Sequence, residues 1–175
     1  MAHFFSTLGR VAIVALMLSA GARADVLDRL LAVVDTRIIT LSDTRAALLF
    51  GFVEPPATGD RVYAAMQYLI DRALMLTEVQ RYVPAEPPSA QVQARLDVIR
   101  SRFPQPDGLA RALDITGLSE AQLAEMARDD LRIQTYIDDR FPGLQPSDRQ
   151  ARVADWVAGL RRRADVIELH LPQPR

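Results

Sequence analysis

The sequence predicts a mainly α-helical protein with a small antiparallel sheet, formed by an N-terminal hairpin and a C-terminal strand. Most of the chain repeats apolar residues at spacings of three and four, which is typical of amphipathic helices. Residues 30–43, LLAVVDTRIITLSD, instead place two β-branched runs around a short polar break, which favours a hairpin. An isolated hairpin is marginal in water. The run 166–171 is the other strand candidate, so we expect it to supply the third strand.

The first elements follow from local signals. The hairpin strands are expected at Leu30–Val34 and Ile38–Leu41, around the polar loop 35–37. Ser42 is the expected N-cap of a short helix, Asp43–Leu49. Two glycines and two prolines in GFVEPPATG (51–59) then end that helix.

Two helices and a short third one follow. Residues 60–83 predict a long helix with a wide apolar face, which indicates burial against several elements. Ser89 is the expected cap of the next helix, and a short one is expected over Leu109–Ile115. The apolar stripe of the middle helix consists of Val92, Leu96, Ile99 and Phe103.

Residues 118–141 carry the clearest helix signals. Ser119 and Gln122 have the spacing of a capping box, and Leu118 with Leu123 can form a hydrophobic staple. The apolar face comprises Leu123, Met126, Ala127, Ile133, Ile137 and Phe141.

A second capping box, Ser147 with Gln150, predicts the start of the last helix. Its expected buried residues are Val153, Trp156, Val157 and Leu160. With no internal repeat or low-complexity segment, residues 25–175 are predicted to form a single domain.

The N-terminus has the pattern of a signal peptide. Arg10 precedes the apolar stretch Val11–Gly21, and Ala22-Arg23-Ala24 is a small-x-small cleavage pattern. The stretch is too short for a membrane-spanning helix, which needs about 17–25 residues. We therefore expect residues 1–24 to be removed after Ala24 and the protein to be exported, without stable membrane insertion afterwards.

Composition excludes several classes of function. The chain has no cysteine, which excludes disulfides, thiolate chemistry and lipoprotein attachment. The formal net charge is −1 and the arginines are spread along the chain, so nucleic acid is not an expected partner.

Reactive side chains are sparse. His170 is the one histidine beyond the signal peptide, and no metal-binding, P-loop, GxSxG or GxGxxG spacing occurs. Adjacent residues on a helix point about 100° apart, so neither Asp129-Asp130 nor Asp138-Asp139 can act as a catalytic dyad. Both acidic pairs instead indicate a solvated face. No metal, no cofactor and no enzymatic activity are expected.

The order of these elements resembles the chaperone module of the SurA family of periplasmic chaperones. The similarity is carried by LLAVVDTRIITLSD, MQYLIDRALMLTEVQRY, GLSEAQLAEMARDDLRIQTYI and the tail RVADWVAGLRRRADVIELHL. Family members usually carry parvulin prolyl isomerase domains before their C-terminal helix. Here that junction is only FPGLQP (141–146), so the chain resembles a minimal form without isomerase domains.

The resemblance implies a periplasmic, ATP-independent holdase that binds unfolded outer-membrane proteins or other unfolded polypeptides. Such a protein needs an adaptable apolar groove. The candidate lining residues are Phe50, Phe52, Val53, Tyr63, Met75 and Tyr136, whereas Trp156 is expected in the core. Two alternatives remain: an adaptor for one dedicated envelope partner, and a prolyl isomerase with an unrecognised site.

Overall fold

The structure, a computed structural model, describes residues 28–82 and 85–170. It is mainly helical with one small antiparallel sheet, which confirms the predicted fold class. The predicted signal peptide, residues 1–24, lies outside the described residues. The described elements are β1 (Leu30–Val34), β2 (Arg37–Thr40), α1 (Leu41–Leu49), α2 (Arg61–Arg81), α3 (Ser89–Arg100), α4 (Gly108–Thr116), α5 (Glu120–Arg140), α6 (Pro146–Arg161) and β3 (Val166–Glu168).

The sheet has the order β2-β1-β3, with both pairs antiparallel. The C-terminal run therefore supplies the third strand, as predicted. Asp35 shapes the hairpin turn with a φ of 52°, and its backbone N–H donates to the Asp165 carbonyl (2.8 Å). The Asp165 N–H donates in return to the Asp35 side chain (3.1 Å). The hairpin turn thus holds the start of β3 in register with β1.

Helix α2 lies at the centre of the molecule. It contacts α1, α5, α6 and the sheet, which explains the wide apolar face of the sequence. One core cluster joins α2 and α6 to the inner face of the sheet, and a second joins α1, α3, α4 and α5. The fully buried residues of α2 include Met66, Ile70, Leu76 and Val79.

The cap of α1 lies earlier than predicted. The N-cap is Thr40, not Ser42: the Asp43 N–H donates to Thr40 Oγ1 (3.2 Å), and the Thr40 N–H donates to Asp43 Oδ2 (2.8 Å). The helix can begin there because Thr40 already has the extended backbone of β2. The box predicted at Ser119 and Gln122 is confirmed.

Two other predicted caps are wrong because prolines set these helix starts. Helix α3 begins at Ser89 itself, and the Pro88 carbonyl accepts the first backbone bonds. Helix α6 begins at Pro146, one residue before Ser147. Proline suits that first helical position because its φ is already helical and its missing N–H needs no partner.

Gly51 ends α1 in a left-handed conformation, with φ of 72°. A Cβ built at this position would lie 2.5 Å from the guanidinium of Arg102. The backbone conformation favours glycine here, whereas the flexible end of the exposed Arg102 side chain could move aside for a Cβ.

Candidate functional site

The solvent-facing side of the sheet is apolar. Ile38 of β2 and Ile167 of β3 both lie opposite Val33, so the three side chains form one row across the sheet. Ile38 is 54% exposed and Ile167 49%, and Leu169 follows at the end of β3 with 54%. We call these four residues the sheet face. Its exposure is notable because the inner residues of the same strands, such as Ala32 and Val34, are buried.

A cleft of about 160 Å³ lies beside β2, and we call it the edge cleft. Arg37, Asp43 and Arg72 supply its polar lining. Its apolar lining consists of Ile38, Ile39, Ala46, Leu69, Ala73, Leu118 and Met126. A cleft of this size and lining can receive one apolar side chain of an extended polypeptide.

A second cleft, of about 330 Å³, lies on the other side of Arg72, between α2 and α5. Its apolar lining includes Met75 and Ile133, and its polar floor includes Tyr68 and Asp130. Burial, together with the Asp130 carboxylate, raises the pKa of Tyr68 to about 12. The phenol therefore stays protonated in the physiological pH range.

Arg72 and Asp130 form an ion pair that separates the two clefts. Arg72 Nε lies 2.9 Å from Asp130 Oδ1, and Arg72 Nη2 donates to the Met126 carbonyl (3.0 Å). The Arg72 side chain is 9% exposed and that of Asp130 19%. Burial raises the pKa of Asp130 above its ordinary value, although the Arg72 guanidinium opposes the shift.

The predicted solvated face at Asp129-Asp130 is therefore wrong. Both carboxylates face Arg72, and Asp129 also contacts Arg132 at 3.2 Å. The pair faces inward because the neighbouring α2 brings a cation to this face of α5. Asp138, by contrast, is about half exposed, as predicted.

His170 is a buried structural residue, 6% exposed. Arg29 Nη2 lies 3.2 Å from its Nδ1, and Asp60 Oδ2 lies 3.0 Å from its Nε2. Arginine can only donate, so Nδ1 accepts and the ring proton is on Nε2, which donates to Asp60. Asp60 is also the N-cap of α2, where it accepts from the Tyr63 N–H (2.9 Å). This network ties the C-terminal strand to the start of the central helix.

Three of the predicted client-binding residues lie together around the end of α1. Phe50 is 1% exposed and packs against Phe103, with the rings tilted by 60° and their centroids 5.8 Å apart. Phe52 is 8% exposed beneath the Arg95 guanidinium, and Val53 is half-buried. In this conformation the two phenylalanines are core residues and are not presented to a client.

The other three predicted residues lie apart. Tyr63 is half-buried near His170, and Met75 lines the second cleft. Tyr136 is 9% exposed and packs between Tyr82 and Trp156, at centroid distances of 5.5 and 5.4 Å. The structure thus does not gather the six residues into one groove, and their role in client binding stays a prediction.

The sheet face was missed as a surface by sequence reasoning. A half-buried strand usually alternates apolar and polar residues, whereas LLAVV and the pair Ile38-Ile39 are apolar on consecutive positions. Consecutive apolar residues put apolar side chains on both faces of a strand. That pattern was the available signal, and no element within residues 28–82 and 85–170 covers the second face.

Within residues 28–82 and 85–170, no three or more histidine, cysteine or acidic side chains form a group that could hold a metal ion. In the same part of the chain, no helix combines the length and apolarity needed to cross a membrane. Neither a protein-family model nor a curated protein matches this sequence.

Proposed function

We propose that this protein is a periplasmic, ATP-independent holdase that binds unfolded outer-membrane proteins and has no isomerase activity. The observation that carries the proposal is the sheet face, an exposed apolar row, next to an edge cleft with an apolar lining. Exposed apolar surface of this kind is typical of sites that bind other polypeptides. The resemblance of the element order to the SurA chaperone module supplies the location and the class of client.

The geometry suits transient binding of extended chains. The edge cleft takes a single side chain, and the sheet face offers apolar contact without enclosing the client. Each apolar side chain buried on such a surface contributes about 1.5–3 kcal/mol before the ordering of the client is subtracted. A few such contacts give the moderate affinity from which a client can be released without nucleotide hydrolysis.

Equilibrium binding of purified residues 25–175 to an unfolded outer-membrane barrel protein tests the proposal, with a folded soluble protein as control. We expect competable micromolar binding of several unfolded chains and no binding of the folded control. The double variant Ile38→Asp/Ile167→Asp should weaken binding about tenfold or more, because two apolar contacts are replaced by solvated charges. The matched double variant Val98→Asp/Ile115→Asp changes two exposed apolar residues on α3 and α4 and should bind normally.

The absence of binding to every unfolded chain would refute the holdase proposal. The same outcome would favour the adaptor alternative, since the sheet face has a polar border at its hairpin end. Asp35, Thr36 and Arg37 are all exposed there, as in the rim of a single-partner interface. Turnover of a proline-containing peptide by the purified protein would instead establish an isomerase.

A further inference from the structure

The strand β2 forms an open edge of the sheet. The strand order is β2-β1-β3, and no described strand pairs with the far side of β2. Backbone groups of alternate residues point to opposite sides of an antiparallel strand. Half of the N–H and C=O groups in Arg37–Thr40 therefore face away from β1, and those that are not already bonded can pair with an added strand. The Thr40 N–H is not among them, because it donates to Asp43 Oδ2 (2.8 Å).

The usual features that block a strand edge are few at β2. The strand contains no proline, and the register irregularity of the hairpin lies in β1, between Leu30 and Ala32. β2 has one charged residue, Arg37, at its start. The edge is thus short but open.

Receptors for side chains lie on both faces of this edge. The edge cleft is lined by residues of β2 on one side and by the apolar side chains of Leu69 and Met126 on the other. The sheet face begins at Ile38, which also borders the edge cleft, and it continues from there across the solvent-facing side of the sheet. Successive side chains of an added strand would alternate between the two faces, as they do in any β-strand.

Building on the proposed function, we propose that client chains bind by adding a strand to the open edge of β2. Main-chain hydrogen bonds would supply sequence-independent affinity, and the two apolar receptors would select segments with apolar residues at alternate positions. Arg37 is exposed at the mouth of the edge cleft and makes no ion pair with another described residue. The preferred segment therefore carries an acidic residue next to its cleft-filling side chain.

The charges around the cleft support this choice of client. Asp43 is the opposing charge, but its Oδ2 already accepts from the backbone N–H of Thr40 (2.8 Å) and from its hydroxyl (2.9 Å). Arg72, deeper in the cleft, is paired with Asp130. Among the described residues, Arg37 is therefore the cation at the mouth of the edge cleft that remains available to a client carboxylate.

A second copy of the chain is a weaker candidate for the same edge. Pairing two β2 strands would join only the short segment Arg37–Thr40 of each copy. Stable interfaces bury roughly 1,200–2,000 Å², well above what one such strand pair provides. An extended client that fills the edge cleft and crosses the sheet face gains contacts that this pairing lacks.

Backbone methylation of a synthetic peptide tests strand addition directly. The probe is a short peptide with phenylalanine and valine at alternate positions, threonine between them and one glutamate. Two analogues carry N-methyl groups on one alternate set of residues or on the other. In an added strand, the backbone N–H groups of only one alternate set of residues point to β2 and donate hydrogen bonds to it. The analogue methylated on that set should lose about tenfold or more in affinity, and the other about twofold or less.

Charge exchange tests the assigned register. Arg37→Glu should weaken binding of the glutamate peptide and strengthen binding of the same peptide with lysine, each by about 2–10-fold. The matched variant Arg111→Glu, at an exposed arginine of α4, should change neither affinity more than about twofold.

Equal effects of the two methylated analogues, or no effect of either, would overturn strand addition. Lack of binding by the parent peptide would overturn it as well. In each case, retained binding of the unfolded barrel protein would leave the holdase proposal standing, whereas loss of both would refute both. Concentration-dependent dimers that the peptide cannot dissociate would assign the edge to a second copy and also overturn the proposal.

Discussion

Replacing Arg72 by methionine would leave Asp130 buried beside Asp129 without its main cationic partner. The change removes the 2.9 Å contact to Asp130 and the bond to the Met126 carbonyl, while it keeps most of the aliphatic volume. Arg72 is 58 residues from Asp130 in sequence, so the perturbation tests a tertiary contact and not helix propensity.

The magnitude follows from burial. Removing one partner of a buried ion pair costs about 3–5 kcal/mol, because the remaining charge is left uncompensated. Asp130 keeps some relief, since its side chain is 19% exposed and Arg95 Nη2 lies 3.8 Å from its Oδ2. We therefore expect Arg72→Met to lower the free energy of unfolding by about 2–4 kcal/mol at neutral pH.

The loss should depend on pH in a defined direction. The pKa of Asp130 is raised in the folded protein, so the fold binds that proton more tightly than the unfolded chain does. The stability that Asp130 contributes is thus fully present below its ordinary pKa of 3.8 and decreases as pH rises through the folded pKa. Removing Arg72 raises that pKa further, so the deficit of the variant should be small near about pH 4 and full near about pH 7.

Urea unfolding monitored by Trp156 fluorescence and circular dichroism measures both effects. The double variant Arg72→Met/Asp130→Leu should recover most of the loss, since replacing both charges by apolar groups is often neutral. Arg111→Met, at an exposed arginine, should stay within about 0.5 kcal/mol of the parent. A deficit of equal size at both pH values, or a double variant no more stable than the single one, would refute the reasoning.

Three further predictions concern the fold. Gly51→Ala and Gly143→Ala should each lower the free energy of unfolding by about 1–2 kcal/mol, since each imposes a left-handed alanine and the Arg102 end beside Gly51 can move aside; a loss below about 0.5 kcal/mol for either would contradict the left-handed backbone. Asp60→Ala should cost about 2–4 kcal/mol, because it removes the cap of α2 and a partner of buried His170, whereas Asp60→Asn should cost less; equal melting temperatures would argue against the shared role. In a spectrophotometric titration Tyr68 should ionise near pH 12, and stability should fall as pH rises from 10 to 12; a Tyr68→Phe variant that leaves the absorbance change in that range intact would contradict the assignment.

The sequence determined the local elements of this protein. Apolar periodicity and the Ser119 box predicted the helices, and the β-branched runs predicted the hairpin. The pairing of the C-terminal strand was also predictable, because a hairpin needs a third strand and the sequence offered one other candidate. These features depend on residues close in sequence or on elimination among a few strands.

The tertiary structure alone decided which polar groups are buried and which apolar groups are exposed. Asp130 faces inward because α2 places Arg72 against it, and Tyr136 is buried because Tyr82 and Trp156 cover it. Ile38 and Ile167 are exposed for the opposite reason, since no described element packs on that face of the sheet. Burial depends on which distant element covers a side chain, and that information is not present in local spacing.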